Sequence, residues 1–344
     1  MSPLTTTILF SSLGMGTIIT MSSYHWLLAW AGLEINTLAI IPIISKQHHP
    51  RATEATTKYF LTQAAASALI LFSSTVNAWY TGTWDITQMT NSTATTLLTL
   101  ALAMKLGLAP MHFWLPEVLQ GVTMNTALII TTWQKLAPMS LLYLTAHNLS
   151  PTILLLTGIL SSLLGGWGGL NQTQTRKLMA YSSIAHLGWM ATITTMAPNI
   201  LTFTLMMYIL MTTTMFLTLI IIDAKTLQDM STSWTISPSL TSITLLTLLS
   251  LGGLPPLTGF TPKWLILEEL TKQNLISTAT IMAISTLLSL FFYLRLTYTT
   301  TLTMPPNTTP TTYKWRFKMF QPKLLTATTP TTLLLLPLTP LLTQ

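Results

Sequence analysis

Apolar runs of about twenty residues recur along the whole chain, and each could cross roughly 30 Å of hydrocarbon as a helix. Half of the 344 residues are hydrophobic and only 7% are charged. In soluble domains roughly a quarter of all residues are charged. No soluble domain of useful size fits between the apolar runs. The sequence therefore predicts an all-α polytopic membrane protein.

The basic residues support a count of eleven spans. When the two faces of the membrane alternate along the chain, eleven of the fifteen Lys and Arg residues share the face of the N-terminus. Lys272 alone falls on the other face, and Lys105, Lys135 and Lys263 fall inside spans. The positive-inside rule places the N-terminal face on the matrix or cytoplasmic side. The predicted spans are 3–21, 25–45, 56–80, 94–119, 122–145, 150–171, 177–196, 199–222, 238–268, 274–296 and 323–342.

The fourth span, with the sequence LLTLALAMKLGLAPMHFWLP at 97–116, carries a cation beside a helix breaker. Lys105 lies about halfway along it, and Gly107 and Pro110 follow directly. A charge at the bilayer centre costs about 3 kcal/mol on insertion scales, so such residues mark functional positions. A discontinuous membrane helix with an ionisable group at its break is a common way to build a transport site.

The ninth span repeats this interruption. Gly-Leu-Pro-Pro at 253–256 matches Gly-Leu-Ala-Pro at 107–110, and Lys263 follows the second break. If five helices form each repeat, the second repeat must be inverted, and matching breaks in inverted repeats indicate a transport path. The predicted units are 1–147, an inverted second repeat at 148–296, and a loop with a final helix at 297–344.

Three further ionisable residues lie deep in predicted spans. Glu34 is either a partner for the buried lysines or a protonated carboxyl bonded to a neighbouring helix. Lys135 lies too far from either surface for its stem to reach out. His186 is equally well read as a hydrogen-bonding residue or a proton carrier. His186 and His112, which lies beside the first break, are both candidate proton relays.

Other patterns predict packing or exclude chemistry. Gln63, beside small residues, and the pair Gly165 and Gly169 are typical of close helix contacts. The glycine-rich end of the sixth span lacks the third glycine of the dinucleotide fingerprint. Because the chain has no cysteine, disulfides, iron–sulfur ligation and thiol chemistry are excluded. The start lacks the Arg-rich pattern of a transit peptide.

The loop at 297–322 is rich in Thr and Pro and lies on the basic face. Within it Lys314, Arg316 and Lys318 alternate with apolar side chains. That pattern suits anionic headgroups or a partner surface, although a solvated loop is the ordinary alternative.

Five motifs carry a family resemblance. They are EATTKYFLTQAAAS, AMKLGLAPMHFWLPEV, TWQKLAPM, RKLMAYSSIAHLGWM and LGGLPPLTGFTPKW. In this order they resemble the chain 2 family of NADH:ubiquinone oxidoreductase (respiratory complex I), in its mitochondrially encoded, vertebrate-type form. The two broken-helix motifs are similar to those of the wider antiporter-like subunits and of multisubunit cation/proton antiporters.

The resemblance implies two inverted five-helix bundles joined by a polar axis and assigns roles by position. Glu34 matches a glutamate that tunes the lysine of the first broken helix, which is Lys105. Lys135 matches a bridging lysine, and Lys263 matches the lysine of the second broken helix, near the exit side. His186 matches a position near the axis between the halves.

The resemblance also implies a proton-translocating subunit of the inner mitochondrial membrane, with its N-terminus on the matrix side. NADH, flavin, iron–sulfur clusters and ubiquinone are then expected in partner subunits, with no cofactor or metal in this chain. The expected partners are other membrane and accessory subunits and anionic phospholipid such as cardiolipin. No nucleic acid is expected to bind, and the chain alone is not expected to function.

Two other classes of function stay open on the sequence. A stand-alone cation/proton antiporter would use the same residues to exchange Na⁺ or K⁺, but would need carboxylates at depth beyond Glu34. A structural subunit that seals the membrane without pumping would have little use for four ionisable residues at depth. Their insertion costs on the order of 10 kcal/mol in total.

Overall fold

The structure is a computed structural model that describes residues 2–47, 49–302, 305–306 and 323–340. In this part of the chain the regular secondary structure is helical, apart from two isolated β-bridges. The α-helices are α1 (Pro3–Ser22), α2 (Trp26–Ile44), α3 (Pro50–Thr81), α4 (Ser92–Leu106), α5 (Trp114–Gly121), α6 (Met124–Thr131), α7 (Trp133–Thr145), α8 (Pro151–Gly169), α9 (Thr175–Ile193), α10 (Pro198–Ile222), α11 (Leu227–Ser231), α12 (Ser233–Ile236), α13 (Pro238–Gly252), α14 (Phe260–Lys272), α15 (Ile276–Thr300) and α16 (Lys323–Leu334).

Six of the described helices are long and apolar enough to cross a membrane. The apolar helices α4 and α13 are shorter, since each ends at one of the predicted breaks. The predicted all-α membrane class is therefore confirmed. The six helices are α1, α2, α3, α8, α10 and α15.

The chain divides into two compact units. One comprises Met1–Ser161 with Met190–Pro198, and the other comprises Ser162–Trp189 with Asn199–Gln344. The first unit contains α1 to α7, and the second contains α11 to α16. The inverted five-helix repeat stays a prediction.

Both predicted interruptions are present, and they have the same length. Seven residues separate α4 from α5 (107–113), and seven separate α13 from α14 (253–259). Each first half ends at a glycine with positive φ, +80° at Gly107 and +79° at Gly253. Glycine adopts this left-handed conformation without the steric penalty of a Cβ, which explains why both breaks begin with it.

The fifth predicted span, 122–145, differs from the expectation of one continuous helix. It is interrupted at Thr132, between α6 and α7. Pro138 lacks an N–H and crowds the carbonyl of Gln134, which weakens the first turns of α7. The hydroxyls of Thr131 and Thr132 also donate to carbonyls one turn back, Ala127 at 2.9 Å and Leu128 at 2.7 Å. Such back-bonding bends helices.

The last predicted span, 323–342, is not one continuous helix over its described part. Helix α16 ends at Leu334 after 12 residues, and a short 3₁₀ turn follows at Leu336–Leu338. Pro330 within α16 and Pro337 in the 3₁₀ turn account for this, because neither residue can donate a backbone hydrogen bond. The short helices α11 and α12 were not predicted. The basic cluster of Lys314, Arg316 and Lys318 lies outside the described residues.

Glycine permits close helix contacts within each unit. A Cβ on Gly16 of α1 would lie 2.9 Å from the carbonyl oxygen of Gly32 in α2, and a Cβ on Gly32 would lie 2.9 Å from that of Gly16. In the second unit, a Cβ on Gly165 would lie 2.7 Å from the backbone nitrogen of Ala185. The close contacts predicted for the sixth span are therefore confirmed at Gly165.

Replacing Gly16 with leucine should separate α1 from α2. Overpacking of this kind costs about 1–3 kcal/mol, so Gly16→Leu should lower the temperature at which the membrane-embedded protein aggregates in a heat challenge. Gly14→Leu is the matched control, because a Cβ on Gly14 meets nothing within 4 Å. Equal aggregation temperatures for the two variants would contradict the close contact.

Candidate functional site

The last four carbonyl groups of α4 all accept hydrogen bonds. A helix leaves these groups without intrahelical donors, and an unpaired carbonyl is costly away from water. Here the backbone of the break and three side chains supply the donors. Ala103 O accepts from the N–H groups of Gly107 and Leu108, both at 2.9 Å; Met104 O accepts from Trp114 Nε1 at 3.2 Å; Lys105 O accepts from Gln63 Nε2 at 3.4 Å; and Leu106 O accepts from Lys135 Nζ.

Lys135 is fixed at the carboxyl end of α4. Its side chain comes from α7, is 2% exposed, and donates to the carbonyl of Leu106. The ammonium nitrogen also lies 5.7 Å from the centroid of the Trp114 ring. The carbonyl end of a helix carries partial negative charge, and an aromatic face attracts a cation, so both contacts stabilise a buried positive charge.

Lys105 lies in the last turn of α4 and is 4% exposed. Its ammonium nitrogen has no hydrogen-bond partner among the described residues. A buried ammonium has three donors to satisfy, and leaving them unpaired is expensive. Among the described residues, Lys105 is therefore the least satisfied charge-bearing group of the site.

Glu34 does not form an ion pair with Lys105 in this structure. One carboxylate oxygen accepts from the Ser67 hydroxyl at 2.5 Å, and the other accepts from the Thr37 hydroxyl at 2.7 Å. The ion pairs among the described residues lie elsewhere. Sequence reasoning missed these two hydroxyls, because Ser and Thr are frequent in every helix of this chain and carry no distinctive pattern.

A small cavity is lined by Thr37, Lys105 and Lys135. Its volume of ≈ 10 Å³ is about what one water molecule needs, and polar side chains contribute to its lining. Gln63, predicted to be a packing residue, lies at this cavity as well as donating to the backbone of Lys105. The polar side chains that line it are Asn36, Thr37, Gln63, Lys105, Gln134 and Lys135.

The second unit has a similar lysine at a helix end. Lys263 on α14 is 8% exposed, and its Nζ donates to the carbonyl of Gly252 at 2.8 Å. Gly252 is the last residue of α13, as Leu106 is the last residue of α4. In each unit a buried lysine therefore donates to the terminal carbonyl of an interrupted helix.

Lys105 and Lys263 do not occupy equivalent positions around their breaks. Lys105 precedes its break, whereas Lys263 is the fourth residue after its break. With both breaks seven residues long, the counterpart of Lys263 is Glu117, and a proline precedes each of them. Glu117 is exposed and forms an ion pair with Lys58 of α3 at 2.6 Å, so the residues at this position differ in kind and in surroundings between the two breaks.

The two candidate relay histidines have different surroundings. His112 lies within the first break, is 4% exposed, and its Nδ1 is 3.3 Å from the carbonyl of Pro110. His186 on α9 is half-buried, and its ring centroid lies 5.7 Å from that of Tyr208. In the part of the chain that the structure describes, no three His, Asp or Glu side chains cluster in a way that could hold a metal ion.

Two family models match the chain. Residues 23–289 match NADH:quinone oxidoreductase/Mrp antiporter, TM, and residues 290–343 match NADH dehydrogenase subunit 2 C-terminus. Among full-length relatives, NADH-ubiquinone oxidoreductase chain 2 of Oncorhynchus mykiss is 59% identical over 100% of this chain and 99% of its own length. The same chain of Tetraodon nigroviridis is 58% identical over 99% of this chain and 98% of its own length.

The chain belongs to the NADH-ubiquinone oxidoreductase chain 2 family.

Chains in two solved structures are similar in fold to this member of the chain 2 family. A chain of respiratory complex I from Thermus thermophilus with bound aureothin is 30% identical, with a TM-score of 0.86 over 97% of this chain and 78% of that chain. A chain of the Mrp complex from Dietzia sp. DQ12-45-1b is 16% identical, with a TM-score of 0.84 over 97% and 75%. The second likeness is one of fold alone.

Gly253→Ala should destabilise the protein more than Gly82→Ala. Both glycines have positive φ, +79° and +72°, so the backbone penalty is similar. A Cβ at Gly253 would also lie 2.9 Å from Lys263 Nζ, whereas one at Gly82 meets nothing within 4 Å. Displacing Lys263 from the Gly252 carbonyl adds about 1–3 kcal/mol.

The measurement is the aggregation temperature of each variant in its membrane. A clearly lower value for Gly253→Ala is expected. Equal losses in the two variants would mean that the lysine contact contributes nothing beyond the shared backbone strain.

Proposed function

We propose that this chain is a proton-translocating subunit in the membrane arm of an NADH:ubiquinone oxidoreductase. The observation that carries the proposal is the placement of buried lysines at the two helix breaks, in a chain that shares 58–59% identity over its full length with chain 2 of that enzyme. NADH oxidation and quinone reduction then belong to partner subunits, which hold the flavin and the iron–sulfur clusters.

The proposed path runs through Glu34, Lys105, Lys135 and Lys263, with His112 and His186 as candidate relays. Lys135 and Lys263 are held at helix carboxyl ends, where a positive charge is favoured. Lys105 has an ammonium group without a hydrogen-bond partner among the described residues, and it can pass a proton on. The proposed role of Glu34 is to stabilise protonated Lys105 when the two approach and to release the proton when they separate.

The energies are of a suitable size for this role. Two unit charges 4 Å apart attract by about 4 kcal/mol at an effective dielectric constant of about 20. Moving one proton against 100 mV requires about 2.3 kcal/mol. Making or breaking one such contact can therefore drive a proton step, provided that events in the partner subunits move Glu34 or Lys105.

The same proposal includes the membrane arrangement. Eleven spans, with inverted repeats at 1–147 and 148–296, would place the N-terminus on the matrix side of the mitochondrial inner membrane. The asymmetry of the basic residues supports this orientation. The proposed partners are the neighbouring membrane and accessory subunits together with anionic phospholipid, including cardiolipin.

A stand-alone cation/proton antiporter is the second candidate. The likeness of fold to a chain of the Mrp complex favours it. Such an activity calls for a cluster of carboxylates that could hold Na⁺ or K⁺, and the residues that line the described cavity include none, although Thr37 among them donates to Glu34. Cation/proton exchange by the purified chain in vesicles would support the antiporter. Absence of exchange by the purified chain would support its role as a subunit of a larger enzyme.

Lys105→Ala should impair proton translocation and the quinone reduction coupled to it. The rate of NADH oxidation with an artificial electron acceptor should stay unchanged. Alanine preserves the helix but removes the titratable group. Lys105→Arg should fail as well, because a guanidinium stays protonated at any working pH. The measurements are vesicle acidification and NADH:ubiquinone turnover in the assembled variant complex.

Lys272→Ala is the matched control, since that lysine is exposed and paired with Glu268 at 2.9 Å. It should leave both rates unchanged. Pumping at the wild-type rate by a fully assembled Lys105→Ala complex would contradict the proposed path.

A further inference from the structure

The Thr37 side chain lies between the Glu34 carboxylate and the cavity beside Lys105. Its hydroxyl oxygen is 2.7 Å from a carboxylate oxygen of Glu34 and 2.9 Å from the Glu34 backbone carbonyl. Thr37 is 6% exposed and also lines the cavity. Because a hydroxyl has one hydrogen and two lone pairs, it can donate to Glu34 and still accept a hydrogen bond from the cavity side.

The cavity supplies what a bound water requires. Its volume of ≈ 10 Å³ fits one water molecule, and a buried water needs two to four polar partners. Lys105 has a buried ammonium nitrogen without a partner among the described residues, and Thr37 has acceptor capacity to spare. Both side chains line this one cavity.

We infer that Thr37 and Lys105 hold one buried water between them, and that Thr37 is the positioning and relay residue that connects Lys105 to Glu34. The inference rests on the proposed function and assigns a further residue to it. No direct Glu34–Lys105 ion pair is present among the described residues, and the water and the hydroxyl connect the two groups while they stand apart.

The relay balances in protons. The Lys105 ammonium donates a proton to the water, and the water passes one of its own protons to the Thr37 oxygen. Thr37 then transfers its original hydroxyl proton to the Glu34 carboxylate. One proton moves in total, the lysine becomes neutral, the carboxylate becomes neutral, and the water and the hydroxyl are regenerated. The reverse sequence reloads the lysine.

The arrangement of Ser67 supports this division of roles. Ser67 donates to the other Glu34 oxygen at 2.5 Å and does not line the cavity. It can therefore hold the carboxylate in place without contacting the water. Removing the Thr37 hydroxyl should interrupt the relay while Glu34 keeps one of its two donors.

The test compares three variants in the assembled complex. Thr37→Val removes the hydroxyl at similar volume, and Thr37→Ser retains it. Thr99→Val is the matched control, because Thr99 is fully buried and its hydroxyl donates to the backbone carbonyl of Thr96 in its own helix. Proton translocation and NADH:ubiquinone turnover are measured for each, alongside Lys105→Ala.

Thr37→Val should lower the rate of proton translocation at least about tenfold, as expected for the loss of a positioned proton-transfer group. Thr37→Ser should restore most of that rate, and Thr99→Val should pump normally. Normal pumping by Thr37→Val together with a defect in Lys105→Ala would overturn the relay but leave the proposed function intact. Normal pumping by Lys105→Ala would contradict the proposed function itself.

A measurement on the wild-type complex covers the case in which Thr37→Val fails to assemble. A map that resolves waters should contain one within hydrogen-bond distance of both Thr37 Oγ1 and Lys105 Nζ. A dry cavity, or a direct bond between Lys105 and Glu34 throughout the catalytic cycle, would overturn the inference.

Discussion

The candidate site is built around the backbone carbonyls at the ends of α4 and α13, which have no donor within their own helix. Each helix stops at a glycine with positive φ, and its terminal carbonyl would be unpaired in an apolar setting. Lys135 satisfies the carbonyl of Leu106, and Lys263 satisfies that of Gly252. The helix end needs a donor and the buried cation needs an acceptor, so the hydrogen bond between them lowers the free-energy cost of burying both groups.

This mutual dependence explains why the break and the lysines belong together. A continuous helix would leave no free carbonyl at depth, and the lysine would then lack a partner. Lys105 differs from the other two, since its ammonium group has no protein partner among the described residues. That difference is why Lys105 is the proposed point of proton exchange, and Thr37, whose hydroxyl donates to Glu34, lines the same cavity.

Much of this arrangement can be read from the sequence, and the exceptions have physical causes. Gly107 and Gly253 predict the two breaks because a left-handed helix end selects glycine, and the buried lysines are conspicuous in apolar runs. The interruption at Thr132 depends on hydroxyl back-bonding that any threonine could make. The roles of Thr37 and Gln63 depend on which helices pack together, and the helical pattern alone does not specify that. The correspondence of Glu117 with Lys263 depends on the equal length of the two breaks, which the sequence pattern does not specify.

The most direct test of the account is the number of protons translocated per NADH oxidised in a complex carrying Lys135→Met. Methionine retains a flexible apolar stem against Trp114 but removes the charge that lies at the end of α4. The account predicts a lower proton-to-NADH ratio, with NADH oxidation by an artificial acceptor unchanged. A wild-type ratio in the fully assembled variant would show that the lysine at the helix end serves packing alone and would contradict the central claim.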